Sequence, residues 1–325
     1  MLSYHVHYAS PQRALKRSLR IPCLYFNWVQ FFSARSSSKY LLCRPRGGLN
    51  DTLVQICRCI DYASKFKRHL IIDTLRSGIC DHFNNYFEAV IPFQNLSLSL
   101  EENFDFALKR HSCVPKSLLD REMSYKSEYL AEINNFVDTL TKEQTSFSFA
   151  ADYDEDLLIH EQCGGGAGRP AFSYFRFKKS VREEINTRLR SLPKHYMAAH
   201  VRHSDVKTDY KLFFHAIKHI VEGKDLLLCT DSFEVLTYAN TFLKNTNVIN
   251  ISDIPNTNGA TLHDHPFTTD WNVNIGCLSD IIALGRASAI ILPSKQVGYQ
   301  SGYAQLGLSI CQDYFLINQL MGNTK

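Results

Sequence analysis

Paired cysteines are missing from this sequence. Ten cysteines are scattered singly, Cys57 and Cys59 are the nearest two, and no Cys-x-x-Cys occurs. In a chain this long, that spacing excludes a disulfide framework. Most of the cysteines sit inside apolar runs, as in Leu226-Leu-Leu-Cys229, so they are expected as reduced, buried, small hydrophobes in a reducing, cytoplasmic compartment. Blocks of Lys and Arg are also missing. The net charge is only +4 against 32 acidic residues, so no nucleic-acid partner is expected. There is no Gly-x-Gly-x-x-Gly and no P-loop Gly-Lys-Ser/Thr, which removes the usual dinucleotide and NTPase signatures. No internal repeat or low-complexity tract appears.

What is present is an ordinary globular composition. The 325 residues are 45% hydrophobic and 21% charged, enough for two packed domains. The first 39 residues differ from the rest. Basic residues from Arg13 to Arg20 precede an apolar-aromatic stretch, Ile21–Phe32, which Asn27 and Gln30 interrupt. The stretch is too short to span a bilayer and makes a poor export signal. Two readings stay open for it: a peripheral contact with the inner membrane face through residues 13–32, or a poorly ordered extension.

From residue 40 the pattern alternates. The spacing predicts a strand at 40–43, a helix over 52–66 capped by Asn50 or Asp51, and a strand at 69–73, which together make a βαβ unit. Residues 84–90 read as local helix or turn, and 115–140 carry helical spacing in places. Residues 163–170 read as a flexible glycine loop before a helix near 179–189. Strands are expected at 196–201, 225–229, 247–251 and 289–292, and helices over 212–221, 233–243, 274–285 and 300–307. Continuously apolar strands alternating with helices predict an α/β fold with parallel sheets covered on both faces. The expected boundaries are an extension over 1–39, one domain over 40–190 and a second over 191–325, with a cleft between the two.

In open α/β sheets, ligands bind beyond the carboxyl ends of the strands. Four polar clusters fall there. Gly47-Gly48 precedes a helix, where backbone amides can approach an anion. His200-Val-Arg-His-Ser-Asp205 ends a strand, so His200 and Arg202 are expected to share a face. Arg202 offers a planar fork suited to diphosphate oxygens. Asp205 and Asp209 follow and are candidate bases for an acceptor hydroxyl. Asp205 has an alternative role, pairing with Arg202 or capping the next helix. Thr230-Asp231 is the third cluster. Ser294, Lys295 and Gln296 are the fourth and supply hydroxyl, ammonium and amide donors for phosphate. Asp280 sits in an apolar helix and needs a partner if buried, either a guanine edge or an internal arginine. His263-Asp-His265 has a spacing that permits metal ligation, but no third ligand accompanies it, so no metal is expected.

At these residues the chain resembles the fucosyltransferases of the α1,2, α1,6 and protein O-linked superfamily. Gly47-Gly-Leu-Asn50-Asp-Thr-Leu-Val-Gln55 is similar to the glycine-rich first loop and helix of the α1,2 enzymes. His200-Val-Arg-His-Ser-Asp205 is similar to their His-x-Arg-x-x-Asp motif. Leu-Cys-Thr-Asp231, Leu262-His263, Leu278-Ser-Asp-Ile and Pro-Ser294-Lys-Gln-Val297 follow in the order of the α1,6 enzymes. The match spans roughly 40–315 and is poor over 75–190.

The resemblance implies a GT-B architecture of two facing Rossmann-like domains. The first would be the acceptor-side domain and the second would bind the nucleotide sugar. It implies GDP-fucose as donor, a glycan or glycolipid as acceptor, inversion at the anomeric carbon and no required metal. On matching positions Arg202 would hold the β-phosphate. His200 and Asp280 would address the nucleoside, Ser294 and Gln296 the diphosphate, and Gly48 would lie beside it. Asp209 stands where the α1,6 enzymes place a candidate base. His203 replaces a second arginine of the α1,6 motif, and Ser232 replaces the second acid of Thr-Asp-Asp. Two alternatives remain: a transferase of another nucleotide sugar, and a non-catalytic glycan- or nucleotide-binding protein.

Overall fold

A computed structural model describes residues 3–9, 39–90, 95–100, 112–255, 269–298 and 300–322. The basic and aromatic stretch at 13–32 and the His263/His265 pair lie outside the described residues. The chain divides into two compact units, Ser18–Arg176 and Met1–Arg17 with Phe177–Lys325. β1 (Tyr4–Tyr8) belongs to the latter.

In Ser18–Arg176, β2 (Tyr40–Pro45), α1 (Leu49–Phe66) and β3 (His69–Ile72) form the expected βαβ unit. Every residue of both strands is buried, as a parallel sheet covered on both faces requires. α1 buries Leu49, Leu53, Ile56, Ile60 and Ala63 along one stripe, the spacing of an amphipathic helix. Its N-cap is Gly48, which makes no side-chain cap bond, so the helix starts ahead of the expected Asn50 or Asp51 cap. Gly47 has φ +79, and a Cβ there would lie 2.7 Å from Asp51 Oδ2. The turn therefore needs glycine for its conformation, the nearby Asp51 carboxylate being a side-chain end that can move aside.

A short helix, α2 (Phe83–Tyr86), leads into β4 (Phe87–Ala89), followed by β5 (Leu96–Ser97) and β6 (Cys113–Val114). The helical spacing over 115–140 proves misleading. That segment contains one 3-10 turn at Lys116–Leu118 and an antiparallel hairpin, β7 (Ser127–Leu130) with β8 (Asn135–Asp138). Asn134 takes positive φ in the connecting turn, a conformation asparagine tolerates. β9 (Leu157–Gln162) returns to the sheet beside β2, and β10 (Phe175–Phe177) pairs with β4. The main sheet runs β5-β3-β2-β9-β6, with every pair parallel. Its order reverses between β2 and β9.

The other unit holds α3 (Lys179–Leu189), β11 (Met197–Val201), α4 (Tyr210–Val221), β12 (Asp225–Thr230), α5 (Phe233–Phe242), β13 (Asn247–Ile249), α6 (Trp271–Arg286), β14 (Ala289–Pro293), α7 (Gly302–Cys311) and α8 (Tyr314–Leu320). The expected strands and helices of this half are all present. The sheet order is β1-β14-β11-β12-β13. Its four later strands are parallel, and β1 is antiparallel to β14. One face packs Met197, Ala199, Val201, Leu226, Leu228 and Ile291 against Phe213, Phe214 and Ile217 of α4. The intervening His200 must therefore point to the opposite face, the side of α6 and α7. Val181, Ile185 and Leu189 of α3 are buried, and this helix packs on α6. The unit thus begins near residue 177 rather than 191. Residues 4–8, expected within an N-terminal extension, form the edge strand of this same sheet, with Tyr4 and Val6 packed on its core.

Candidate functional site

The parallel strands of the unit around β11 appear in the chain order β11, β12, β13 on one side and β14 on the other. The switch point lies between β11 and β14, where open α/β sheets place their ligands. Arg202 follows β11 directly. Its guanidinium pairs with Asp205 through Nε to Oδ1 at 2.9 Å and Nη2 to Oδ2 at 2.8 Å. Asp205 occupies the Nε–Nη2 edge, leaving Nη1 without a protein partner among the described residues. Partial burial pushes the Asp205 carboxyl up, and the bonds from Arg202 and Ser204 outweigh it, so its pKa lies below the ordinary value. A carboxylate so engaged is a poor base. Its structural alternative, pairing with Arg202, is the one realised.

Asp231 organises the same loop from β12. It accepts the His203 backbone N–H at 2.7 Å and the Ser204 hydroxyl at 2.6 Å. Thr208 donates its hydroxyl to the Arg202 carbonyl at 2.6 Å. His203 bonds through Nδ1 to the Thr208 carbonyl at 2.9 Å and meets Tyr210 edge-on. Asp209 caps α4, with Oδ1 accepting the Leu212 N–H at 3.0 Å. It is exposed, and its second oxygen is not used by the cap.

His200 and Asp280 lie on the α6 side of the sheet. Burial, reinforced by Arg202 and opposed by Asp231, pushes His200 down to about 4, so the ring is neutral at pH 7. It lies 5.4 Å from the Tyr303 ring. Burial raises Asp280 to about 7, against the opposing pull of Ser252, Cys229 and Arg188. Its Oδ1 is buried and has no hydrogen-bond partner. The internal arginine weighed as a partner from sequence is Arg188, and it attracts the carboxyl without satisfying that oxygen.

Ser294 closes β14. Its carbonyl accepts the N–H groups of Val297 and Gly298 at 3.1 and 3.0 Å, and its own N–H donates to the Ser3 carbonyl at 3.0 Å. Its hydroxyl is buried with no partner. Val297 returns a carbonyl to the Asp209 N–H at 2.7 Å, and a Cβ on Gly298 would lie 2.6 Å from Thr208 Oγ1. The turns after β11 and β14 are therefore packed together. Lys295 and Gln296 are exposed beside them.

In Ser18–Arg176 the candidate residues are occupied by the fold itself. The Asn50 side chain donates to the Gly166 carbonyl at 3.1 Å and accepts the Gly168 N–H at 2.9 Å. Gln55 donates to the Gly164 carbonyl at 2.7 Å and meets His160 at 2.8 Å. The glycine loop expected to be flexible is thus tied to the first turns of α1. Gly47 accepts the Gly78 N–H through its carbonyl at 2.7 Å. Among the described residues, no group of three or more His, Cys, Asp or Glu could hold a metal ion. No helix among them is long and apolar enough to cross a membrane. All nine described cysteines are free.

Sequence reasoning did not single out Tyr303 and Ser252, which surround His200 and Asp280, or Ser204 and Thr208, which brace Arg202. Ser204 stands inside the quoted motif and was visible there, and Thr208 follows three residues after its end. The first two come together only through packing.

No protein-family model matches the chain, and no curated protein matches it in sequence. Among solved structures it is similar to the fucosyltransferase NodZ from Bradyrhizobium. The TM-score is 0.53 at 17% identity, over 84% of this chain and 93% of that one. It is likewise similar to a NodZ alpha-1,6-fucosyltransferase soaked with GDP-fucose, with a TM-score of 0.54 at 17% identity, over 83% of this chain and 92% of that one. The chain therefore has a fucosyltransferase-like GT-B fold, as the motifs implied.

Proposed function

We propose that this protein is an inverting glycosyltransferase that moves fucose, or a related sugar, from a GDP-sugar to a glycan or glycolipid acceptor. The observation that carries the reading is the pair of buried, unpartnered groups, Ser294 Oγ and Asp280 Oδ1, in the unit whose switch point is flanked by Arg202. A buried polar atom without a partner costs about 1–3 kcal/mol, and a bound ligand that supplies the partner removes that cost. A guanine edge offers two adjacent N–H donors to Asp280, and a diphosphate oxygen accepts from Ser294. The NodZ structure soaked with GDP-fucose has the same fold, which supports this donor class.

In this mechanism the free Nη1 of Arg202 meets the β-phosphate as its charge grows, while Asp205, paired to Nε and Nη2, fixes the orientation of the guanidinium. Lys295 and Gln296 extend the phosphate contacts. Neutral His200 packs beside the nucleoside, and Asp231 holds the loop that carries Arg202. Gly47 and Gly48 remain candidate anion contacts of their own unit. The reading requires no metal, because the departing diphosphate is met by fixed cationic and hydroxyl donors. Asp209 takes the acceptor proton through the oxygen its capping bond leaves unused.

Thermal shift with GDP, GDP-fucose and a panel of UDP-sugars tests the donor. Ligand binding to the folded state raises apparent stability, so GDP and GDP-fucose should raise Tm and the UDP-sugars should not. A UDP-sugar acting alone would favour the rival donor. GDP binding without turnover would favour the non-catalytic reading. The base is tested separately by Asp209→Asn. Asn caps a helix about as well as Asp, so folding and GDP affinity should persist while transfer falls by about 100-fold or more. Unchanged transfer removes Asp209 from this role.

A further inference from the structure

Ser294 is held from an unexpected direction. β14 would be the sheet edge were it not for β1, which pairs with it from Tyr4↔Pro293 to Tyr8↔Ala289. The ladder continues past both strand ends, through Ser294 N–H to the Ser3 carbonyl at 3.0 Å and Ala9 N–H to the Ser288 carbonyl at 3.1 Å. Antiparallel pairs alternate between hydrogen-bonded and non-bonded. His5 and His7 therefore exchange bonds with β14, Ser3 lends the ladder only its carbonyl and Ala9 only its N–H, and the N–H groups of Tyr4, Val6 and Tyr8 point away from it. The Ser294 carbonyl is already engaged by Val297 and Gly298. The Ser3 carbonyl therefore takes the remaining backbone group of Ser294. With both backbone groups bound, the place of the Ser294 hydroxyl is set by the register of β1.

We propose that the strand at residues 3–9 is a positioning element of the nucleotide site, fixing Ser294 for the donor diphosphate rather than only covering a sheet edge. This rests on the donor reading above. Covering an edge is useful by itself, and a strand doing only that would affect stability without touching ligand affinity. A strand that sets Ser294 is coupled to the ligand, and the coupling is reciprocal: docked β1 favours GDP binding, and bound GDP favours docked β1.

Two proline variants of the full chain separate these cases. His5 is exposed and supplies a ladder N–H; Tyr8 is exposed and does not. Proline is tolerated on an edge strand only where the N–H faces away from the ladder. Titrated with GDP in a calorimeter, His5→Pro should bind about tenfold more weakly than wild type, the scale of one lost hydrogen bond. Tyr8→Pro should stay within about twofold. Hydrogen exchange on the wild-type protein gives a second reading that needs no variant to fold. GDP should slow exchange of the amides at residues 5 and 7. GDP affinity unchanged in His5→Pro, equal weakening by both prolines, or exchange at residues 5 and 7 unaffected by GDP would each overturn the positioning role while leaving the donor reading standing. Wild-type protein that binds no GDP would overturn the donor reading, and this inference with it.

Discussion

The two units reach their switch points with similar raw material and use it differently. Between β2 and β9, a glycine turn, an asparagine and a glutamine face a glycine-rich loop. Asn50 and Gln55 spend their hydrogen bonds tying that loop down. Between β11 and β14, an arginine, several acids and a serine turn meet. There Asp231, Thr208 and Asp209 brace the loops, while Ser294 Oγ stays unpaired and Asp280 Oδ1, buried beneath α6, has no partner either. The first unit also has buried unpaired atoms, His160 Nδ1 and Glu161 Oε2 among them, but none belongs to its glycine turn. The comparison teaches that polar residues at a strand end are candidates for binding only where the fold has not already employed them.

Three substitutions test that contrast. The largest effect is expected from Arg202→Ala. Removing a preorganised donor from a developing anion costs about 100-fold or more in rate, read as turnover of GDP-fucose in the presence of acceptor glycans. Full turnover would mean that the switch point at β11 is not the reacting centre.

Asp280→Asn comes next and separates binding from stability. The folded carboxyl titrates at about 7, and an unfolded one at about 3.9. The folded state therefore holds its proton more tightly, and stability falls as pH rises between those values and levels off above the higher one. The Asn variant has no such loss and should melt higher than wild type at pH 8, with the difference vanishing near pH 4. Its GDP affinity should fall by about tenfold or more, the scale of a hydrogen bond to a charged group. Wild-type affinity should rise as pH passes through neutrality, whereas that of the variant should stay level. Calorimetric titrations at pH 6 and 8 check both.

Asn50→Ala gives the smallest functional change and completes the contrast. It removes two bonds to the glycine loop and should cost about 1–3 kcal/mol of stability, measured by urea unfolding, with GDP affinity within about twofold of wild type. A selective loss of GDP affinity would return Asn50 to the binding residues and erase the difference between the two switch points.

Much of this was legible in the order of residues. Apolar strands such as Leu226-Leu-Leu-Cys229 declare burial on both faces, and helices such as Lys179–Leu189 declare their stripe. Alternation of the two dictates a parallel α/β fold. The hairpin at 127–138 was hidden because its short strands carry too few residues for a period to show, and the apolar positions near them mimic helical spacing. β1 was hidden for a related reason. Tyr4-His-Val-His-Tyr8 alternates, but five residues alone cannot say which sheet edge will receive them.

By itself the sequence determined the class of fold and the four strand-end clusters, because periodicity and glycine placement act locally. It also presented Arg202, Asp280 and Ser294 as candidates through their residue types and order. Only the tertiary structure decided which of them retain unused chemistry. Asp205 was taken by Arg202, Asn50 by the glycine loop and one oxygen of Asp209 by a helix cap, whereas Ser294 and Asp280 were buried with atoms unpaired. Hydrogen-bond satisfaction depends on partners far apart in the chain, such as Ser3 with Ser294 or Asn50 with Gly168, and no local pattern records them.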